Sequence, residues 1–588
     1  MGTTAVVFDA VTQANIDQWL NGDYDETSKQ QIRQLQQDNP AELLNAFYQH
    51  LSFGTGGLRG LMGIGTNRIN PYTIQTATQG LANYIRSITS SGSVLIAYDC
   101  RLSSQDLAYA AARVLAANGI RVFIFKDIRP VPLVSFGVIH KKCTAGIMIT
   151  ASHNPPQYNG YKVYWSDGGQ LLPPHEQGII EQIRCVQEVK TVSAPHPLIE
   201  EIGQQLDQDF LTTLEQVRLY PQDNLQKGPQ LHIIYSNLHG TGATLLPQAL
   251  SKAGFTHVEF VKTQHVPDGN FPTVAFPNPE EPSALQLGIE QLQAQHADIF
   301  MATDPDADRL GVVVMHQNRP VLLSGNELAC LATEHICHAL TQTGSLPPRA
   351  AVVKTIVTSE LMRAIAEHYG VQCLDVLTGF KYIGQKMTEW DLAQKQGLPF
   401  SQFIFGAEES YGYLLGTYAR DKDAIGTAVL IAEMALHLKL QNQTLVDCLH
   451  HLYTKYGLYR EQLRSMTFEG KQGAQTIQNM MTKLRETPPQ QLAGLALKSL
   501  DDYQTGRCVD MKTGQQLPLL LPCSNVLCLW LEDGTKLVIR PSGTEPKVKI
   551  YCALKSSCSS VSEQDILHCD QRLTTLINEL CSFVMPTT

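Results

Sequence analysis

The chain has 588 residues, of which 43% are hydrophobic and 17% charged, so it can build several buried cores and carries no disorder signature. Its formal net charge of −10 argues against a general nucleic-acid binder, and an anionic small substrate would need a local basic cluster. None of the fourteen cysteines forms a C-x-x-C pair, no apolar run reaches the roughly 18 residues of a membrane span, and no Lys or Arg precedes Lys29, as a secretory signal would require. A cytoplasmic protein with reduced thiols and no membrane association is expected.

Residues 1–50 read as a polar helical cap, with apolar spacing at Ile32, Leu35, Leu43 and Leu44. From Leu51 the texture becomes glycine-rich, "FGTGGLRGLMGIG". Strands and helices then alternate. Val94–Tyr98 reads as a buried strand, and 103–118 as a helix opened by serine and closed by Gly119. Arg121–Phe125 and Ala145–Ile149 are further strands. The pattern restarts near Leu231 and runs to Asp298–Thr303. It restarts again near Ala350 and runs to Phe403–Phe405. Three consecutive α/β units are predicted, without a literal repeat. In the last 120 or so residues, "NVLCLWLEDGTKLVIRP" and "KVKIYCAL" read as hairpin strands of an α+β unit, and the polar stretch 471–489 as part of a connection.

Four loops could carry chemistry. "TASHNPPQYNGYK", 150–162, follows a buried strand, and ligands of α/β sheets gather at the carboxyl ends of strands. Pro155 and Pro156 stiffen it around Ser152 and His153, with Lys162 beyond; a plain turn would use the same residues. No G-x-S-x-G elbow occurs in the chain. "DPDADR", 304–309, places Asp304, Asp306 and Asp308 at alternate positions. In an extended segment all three would face one hard cation, with Mg²⁺ favoured over zinc by the all-oxygen set. It is not an EF-hand, because loop positions 6 and 12 would be Arg309 and Met315. "GAEESYGYL", 406–414, offers Glu408, Glu409 and Ser410 either to vicinal sugar hydroxyls or as a charged helix start, with "ARDKDA" just after. "RPSGTEPKVK", 540–549, offers Arg540, Ser542, Gly543 and Thr544 as a phosphate cradle or a hairpin turn. A P-loop is absent and no G-x-G-x-x-G is completed.

In this order, "FGTGGLRG", "TASHNP", "DPDADR", "GAEES" and "RPSGTEP" resemble the opening, phosphoserine, magnesium, sugar and phosphate loops of the α-D-phosphohexomutases, the phosphoglucomutase and phosphomannomutase superfamily. "YNGYK", "LHGTG" and "TGFKYIG" agree with it, and the resemblance spans about Phe53 to Tyr551. Length and the "EESYGY" form look most like the longer phosphoglucomutase-2-like branch, which includes phosphopentomutases.

The resemblance implies four domains around a central cleft, three similar α/β domains and a smaller α+β C-terminal one. The expected partition is a cap at 1–50, domains at 51–205, 206–320 and 321–460, and a C-terminal phosphate-binding domain at 461–588. It implies that Ser152 carries a phosphoryl group and interconverts glucose 1-phosphate and glucose 6-phosphate through glucose 1,6-bisphosphate, which also serves as activator. Mg²⁺ would sit on Ser152, Asp304, Asp306 and Asp308. Lys162 would shuttle protons or neutralise charge, His153 would support the loop, and Arg309 and Arg59 would steady phosphoryl oxygens. Glu408, Glu409 and Ser410 would read sugar hydroxyls, Lys381 would touch substrate, and Arg540, Ser542, Gly543 and Thr544 would hold the idle phosphate. The sugar loop lacks the Gly-His pair that follows Ser in phosphomannomutase-like members, which leans toward glucose. Mannose or pentose phosphate is the alternative within the family, and a monomer or small homo-oligomer is expected. Outside the family stand a haloacid-dehalogenase-like phosphatase with Asp304 as nucleophile, and a non-catalytic sugar-phosphate sensor.

Overall fold

The computed structural model describes residues 8–54, 56–468, 470–542, 547–556 and 561–585. The chain forms two compact units, residues 1–313 with 416–432, and residues 314–415 with 433–588.

The first unit opens with helices Ala10–Asn21, Glu26–Asp38 and Pro40–Phe47, capped by the side chains of Asp9, Asp25 and Asn39. They close on a small core of Ile16, Trp19, Ile32, Leu43 and Phe47. Of the four positions whose spacing predicts the cap, Ile32 and Leu43 are fully buried, and Leu35 and Leu44 are half-buried.

Next comes a six-stranded sheet in the order Gly57–Leu61, Tyr158–Trp165, Ala145–Ile149, Ser93–Tyr98, Arg121–Phe125, Ile199–Ile202. The last four strands run parallel, and the first two are antiparallel to their neighbours. Val94, Ile96, Val122, Ile124, Ala145, Ile147 and Ile149 on the strands and Leu107, Ala111 and Leu115 on the helix Ser104–Ala117 pack one face of the sheet into a buried core. That helix ends as read, with Gly119 at φ +72°, but its expected serine cap fails. Ser103 makes no capping bond, because its hydroxyl is taken by Met62 Sδ and by Asn159.

A second sheet places Leu310–His316, Ile299–Thr303, Ile233–Ser236 and Val258–Phe260 side by side, the last three parallel.

The second unit holds a four-stranded sheet, Gln372–Val376, Ala350–Thr355, Gln402–Glu408, Gly412–Leu415, and an antiparallel C-terminal sheet that includes Leu458–Thr467, Lys547–Ser556, Lys536–Pro541 and Leu527–Leu531. The predicted hairpin strands are there. Most of the polar stretch 471–489 forms the helix Gly470–Glu486. Ile477, Met480, Met481 and Leu484 bury one face, a sparse stripe hidden among Gln, Thr and Lys.

A buried ion network joins these two sheets. Lys354 is wholly buried, and its Nζ meets Glu360 Oε1 at 2.9 Å and Asp375 Oδ1 at 2.8 Å. Glu360 also takes Lys536 at 3.0 Å and Arg363 at 2.9 Å. Burial would raise the Glu360 pKa, but Lys354 and Lys536 outweigh it and hold the carboxyl below its ordinary 4.5. Its contribution is therefore complete above pH 4.5 and is lost as pH falls through the lower folded value. Glu360→Gln is expected to cost roughly 3 kcal/mol at neutral pH, because Lys354 is left with one carboxylate. Denaturant melts as a function of pH check it: the gap to wild type should close below pH 4.5 and stay open above it.

Candidate active site

Ser152 lies just past the carboxyl end of Ala145–Ile149, 2% exposed, with φ +51°. The left-handed region costs an L-residue about 1–2 kcal/mol, so the turn must be held from outside. Arg101, buried after the neighbouring strand, does this. Its Nη2 donates to the carbonyls of Ser152 (2.7 Å) and Asn154 (2.6 Å), and its Nη1 to those of Pro155 (2.8 Å) and Tyr158 (2.9 Å). Asp99 Oδ2 accepts from its Nε at 3.2 Å. One planar guanidinium thus fixes four carbonyls, a geometry an ammonium cannot copy. Arg59, on Gly57–Leu61, donates to Asn154 Oδ1 at 3.1 Å. The Ser152 hydroxyl donates to Asp304 Oδ2 at 2.9 Å and lies 3.2 Å from His153 Nδ1.

Asp304, Asp306 and Asp308 connect Ile299–Thr303 to Leu310–His316 and are all buried. They do not lie on an extended segment. Ala307 N–H bonds the Asp304 carbonyl at 3.0 Å, and Ala307 sits at φ +50°, so the stretch is a turn. The correction has a simple cause: side chains two apart on a strand are separated by about 6.5 Å, too wide for one small ion. The turn brings one oxygen from each carboxylate within 4.8 Å of the others. Its tip is packed from behind by the "LHGTG" segment. A Cβ on Gly240 would stand 2.3 Å from Pro305 Cα, and Thr241 bonds the Pro305 carbonyl through both N–H and Oγ1 at 2.8 Å. Thr150 ties the two loops together, accepting from Ser152 N–H at 2.8 Å and donating to Asp306 Oδ2 at 3.1 Å.

Three buried carboxylates need compensation. Lys162 Nζ bonds Asp306 Oδ2 at 2.8 Å and Asp308 Oδ2 at 3.1 Å. Burial would lower the Lys162 pKa, but Asp306 and Asp308 raise it, so the amine stays cationic. Lys422, in the "ARDKDA" segment to which the sequence assigned no role, adds its Nζ 3.3 Å from Asp308 Oδ2. Asp421 holds that lysine at 3.0 Å and is itself bonded by Tyr164 and Gln170. Burial pushes Asp308 upward, but Lys162, Lys422 and Arg309 hold it below the carboxylate range. Asp304 moves the other way, raised by burial and by the charges of Asp306 and Asp308. Among the described residues Asp306 Oδ1 and Asp308 Oδ1 are buried without a hydrogen-bond donor, the nearest cation to Asp308 Oδ1 being Arg309 Nε at 3.8 Å. Orphaned oxygens in an all-oxygen set beside the Ser152 hydroxyl suit a hard divalent cation. The Arg309 guanidinium is paired with Glu280.

The remaining expected residues belong to the second unit. The "GAEES" loop is neither a helix start nor irregular: Glu408 ends a strand, and the chain turns back as Gly412–Leu415. Glu408 is buried and accepts from Gly379 N–H at 3.0 Å, which joins it to the "TGFK" segment. Lys381 there lies over the Tyr382 ring at 5.1 Å. Glu409 accepts from Thr355 Oγ1 at 3.2 Å, and Ser410 is half-exposed in the turn. Arg540 pairs with Lys549 across the hairpin, and Ser542 N–H bonds the Lys547 carbonyl at 2.7 Å. Burial raises the Tyr551 hydroxyl pKa, and the charges of Glu409 and Arg540 act on it in opposite directions. Gly543 and Thr544 lie outside the described residues.

The chain is similar to known proteins along most of its length. Residues 50–190, 208–317 and 324–456 match the models of phosphoglucomutase/phosphomannomutase alpha/beta/alpha domains I, II and III. A phosphoglucomutase of Staphylococcus aureus (strain USA300) is 36% identical over 527 residues, 88% of this chain and 92% of that one. One of Staphylococcus epidermidis is 35% identical over 524 residues, 88% and 93%. In fold, the chain is similar to the Paramecium phosphoprotein pp63/parafusin (TM-score 0.67, 16% identity, 92% of this chain and 97% of that one). It is also similar to a phosphoglucomutase/phosphomannomutase family protein of Burkholderia thailandensis (TM-score 0.64, 20% identity, 90% and 96%).

Proposed function

Because the chain belongs to the phosphoglucomutase/phosphomannomutase family of isomerases, we propose that it interconverts glucose 1-phosphate and glucose 6-phosphate through a phosphorylated Ser152 and a glucose 1,6-bisphosphate intermediate. One observation carries the reading: a serine hydroxyl on a clamped turn, 2.9 Å from a buried aspartate triad whose negative charge is partly neutralised by two lysines. Family membership sets aside the dehalogenase-like alternative.

In the first half-reaction the bond from phosphorus to Ser152 Oγ breaks and one to the sugar O6 forms. In the second, after the bisphosphate turns round, the phosphoryl on O1 returns to Oγ. Each attacking hydroxyl gives up a proton, and each leaving oxygen is free to gain one, so nothing is consumed. Such transfer depends on position and charge more than on covalent chemistry. Asp304, Asp306 and Asp308 would hold Mg²⁺, which when bound spreads the charge of the transferring group. Lys162 stays cationic and, with Lys422 beside Asp308, neutralises charge; this favours the electrostatic role of Lys162 over proton shuttling. Arg101 keeps Ser152 aimed. Glu408, Glu409 and Ser410 would read the sugar, and Arg540 with Ser542 the idle phosphate.

Initial rates with glucose 1-phosphate, mannose 1-phosphate and ribose 1-phosphate, with added bisphosphate, test the proposal. Glucose 1-phosphate should give the highest kcat/KM, and intact-mass analysis should find one phosphoryl on Ser152. Preference for another sugar would move the enzyme within its family, and a phosphoryl-free enzyme under turnover would end the serine mechanism.

Arg540→Ala is expected to raise KM and to let more bisphosphate escape, since a bidentate phosphate contact is lost while Ser152 is untouched. Each escape leaves Ser152 unphosphorylated, so turnover should lean more on added bisphosphate. Rapid-quench product analysis measures the escaped fraction, and a wild-type fraction with wild-type KM would make Arg540 a hairpin residue only.

A further inference from the structure

At the far end of the second sheet from the aspartates, three metal-ligating side chains come together. His232 stands just before the strand Ile233–Ser236, and His257 just before Val258–Phe260. These strands are parallel neighbours with Ile233 paired to Val258, so the two imidazoles lie side by side. Their rings stack with centroids 3.8 Å apart and planes 7° from parallel. Glu259, two residues past His257 and on the same strand face, brings Oε1 to 3.4 Å from His232 Nε2. One ligand atom from each of the three lies within 4.8 Å of the other two.

We propose that His232, His257 and Glu259 form a second metal site, one for a transition ion of the Zn²⁺ type. Two imidazoles and a carboxylate are the donor set that zinc shares with few hard cations, and they leave a position for water. Among the described residues His232 Nε2 is buried and makes no hydrogen bond, with the Glu259 carboxylate 3.4 Å away as its nearby charge. The support is in place as well. Asp298 fixes the His232 backbone, accepting from its N–H at 2.8 Å and donating to its carbonyl at 3.0 Å. Gln295 holds the other Glu259 oxygen at 2.8 Å. Such outer contacts orient ligands.

Binding requires a small rearrangement. Ligand atoms around tetrahedral zinc sit about 3.4 Å apart, so the set must contract, and the stacked rings must turn until their lone pairs converge. His257 is exposed and the Glu259 side chain is 46% exposed, so both can move without disturbing a core. The strand from Asp298 to Asp304 puts about 20 Å between this site and the aspartate triad. Nitrogen donors and an all-oxygen set also select different ions. The bound ion would clip the edge strand Val258–Phe260 to its neighbour.

The test uses the full chain in excess Mg²⁺, with Zn²⁺ followed by calorimetry and Cu²⁺ as a spectroscopic probe. Wild type should bind one Zn²⁺, and Cu²⁺ should show hyperfine coupling to two imidazole nitrogens. His257→Ala should weaken Zn²⁺ about tenfold or more, and Glu259→Gln less, while mutase turnover in Mg²⁺ stays at wild type. Unchanged Zn²⁺ affinity in His257→Ala would overturn the site. So would wild type that binds no Zn²⁺ under these conditions, or Zn²⁺ binding abolished by Asp306→Asn, which would place the ion on the aspartates.

Discussion

Replacing Ser152 with alanine is expected to abolish nearly all mutase turnover and leave the fold intact. Alanine accepts the same backbone, and the clamp that holds φ at +51° is made by Arg101 on carbonyl oxygens, so it survives the change. What disappears is the oxygen proposed to carry the phosphoryl group, together with the hydrogen bond to Asp304 Oδ2. Asp304 keeps the N–H groups of Asp308 and Arg309 on its other oxygen, at 3.1 and 3.0 Å. The stability loss should therefore be near that of one hydrogen bond to a charged group, about 1.5–3 kcal/mol. Thermal melts and turnover measured on one preparation separate the two effects. Turnover near wild type in a folded Ser152→Ala protein would mean that the phosphoryl group is carried elsewhere.

Asp306→Asn should be nearly as damaging by a different route. Asp306 is wholly buried; its Oδ2 accepts from Lys162 and Thr150, while Oδ1 has no donor among the described residues. An amide cannot offer two acceptor oxygens, so the orphaned position that suits a cation becomes a donor or loses its charge. Lys162 is left with Asp308 as its carboxylate partner. Divalent-ion affinity and kcat should both fall by orders of magnitude. A readout independent of activity exists. Mg²⁺ at a hundredfold excess over its Kd should stabilise wild type by about 2.7 kcal/mol, and the variant by far less. An equal Mg²⁺-induced rise in Tm in both proteins would place the ion away from these aspartates.

Both variants fall on residues visible in the sequence, and that visibility has a cause. Loop chemistry is written in short runs. Pro155 and Pro156 stiffen a turn wherever they occur, and three aspartates crowded into five positions imply a counter-charge in any fold. Alternating apolar runs expose strands such as Ser93–Tyr98 because a strand buried on both faces must be apolar throughout. The helix Gly470–Glu486 escaped because the buried Ile477, Met480, Met481 and Leu484 are diluted by long polar side chains, whose role as solvent-facing helix formers leaves no local mark.

What decides the site's charge balance is absent from any short window. Arg101 reaches carbonyls 51 to 57 residues away, and Lys422 reaches an aspartate 114 positions earlier. Neither has a local pattern, since a buried cation is placed by the path of the backbone and by the negative charge waiting there. The turn at Asp304–Asp308 is a similar case. Spacing alone announced three carboxylates on one face, but their convergence comes from a left-handed Ala307 and from Gly240 packed behind Pro305, a contact between segments 65 residues apart. Residue types and local stiffness follow from covalent and steric rules that act over a few positions. The pairing of buried charges follows from desolvation, which exists only once the chain has folded around them.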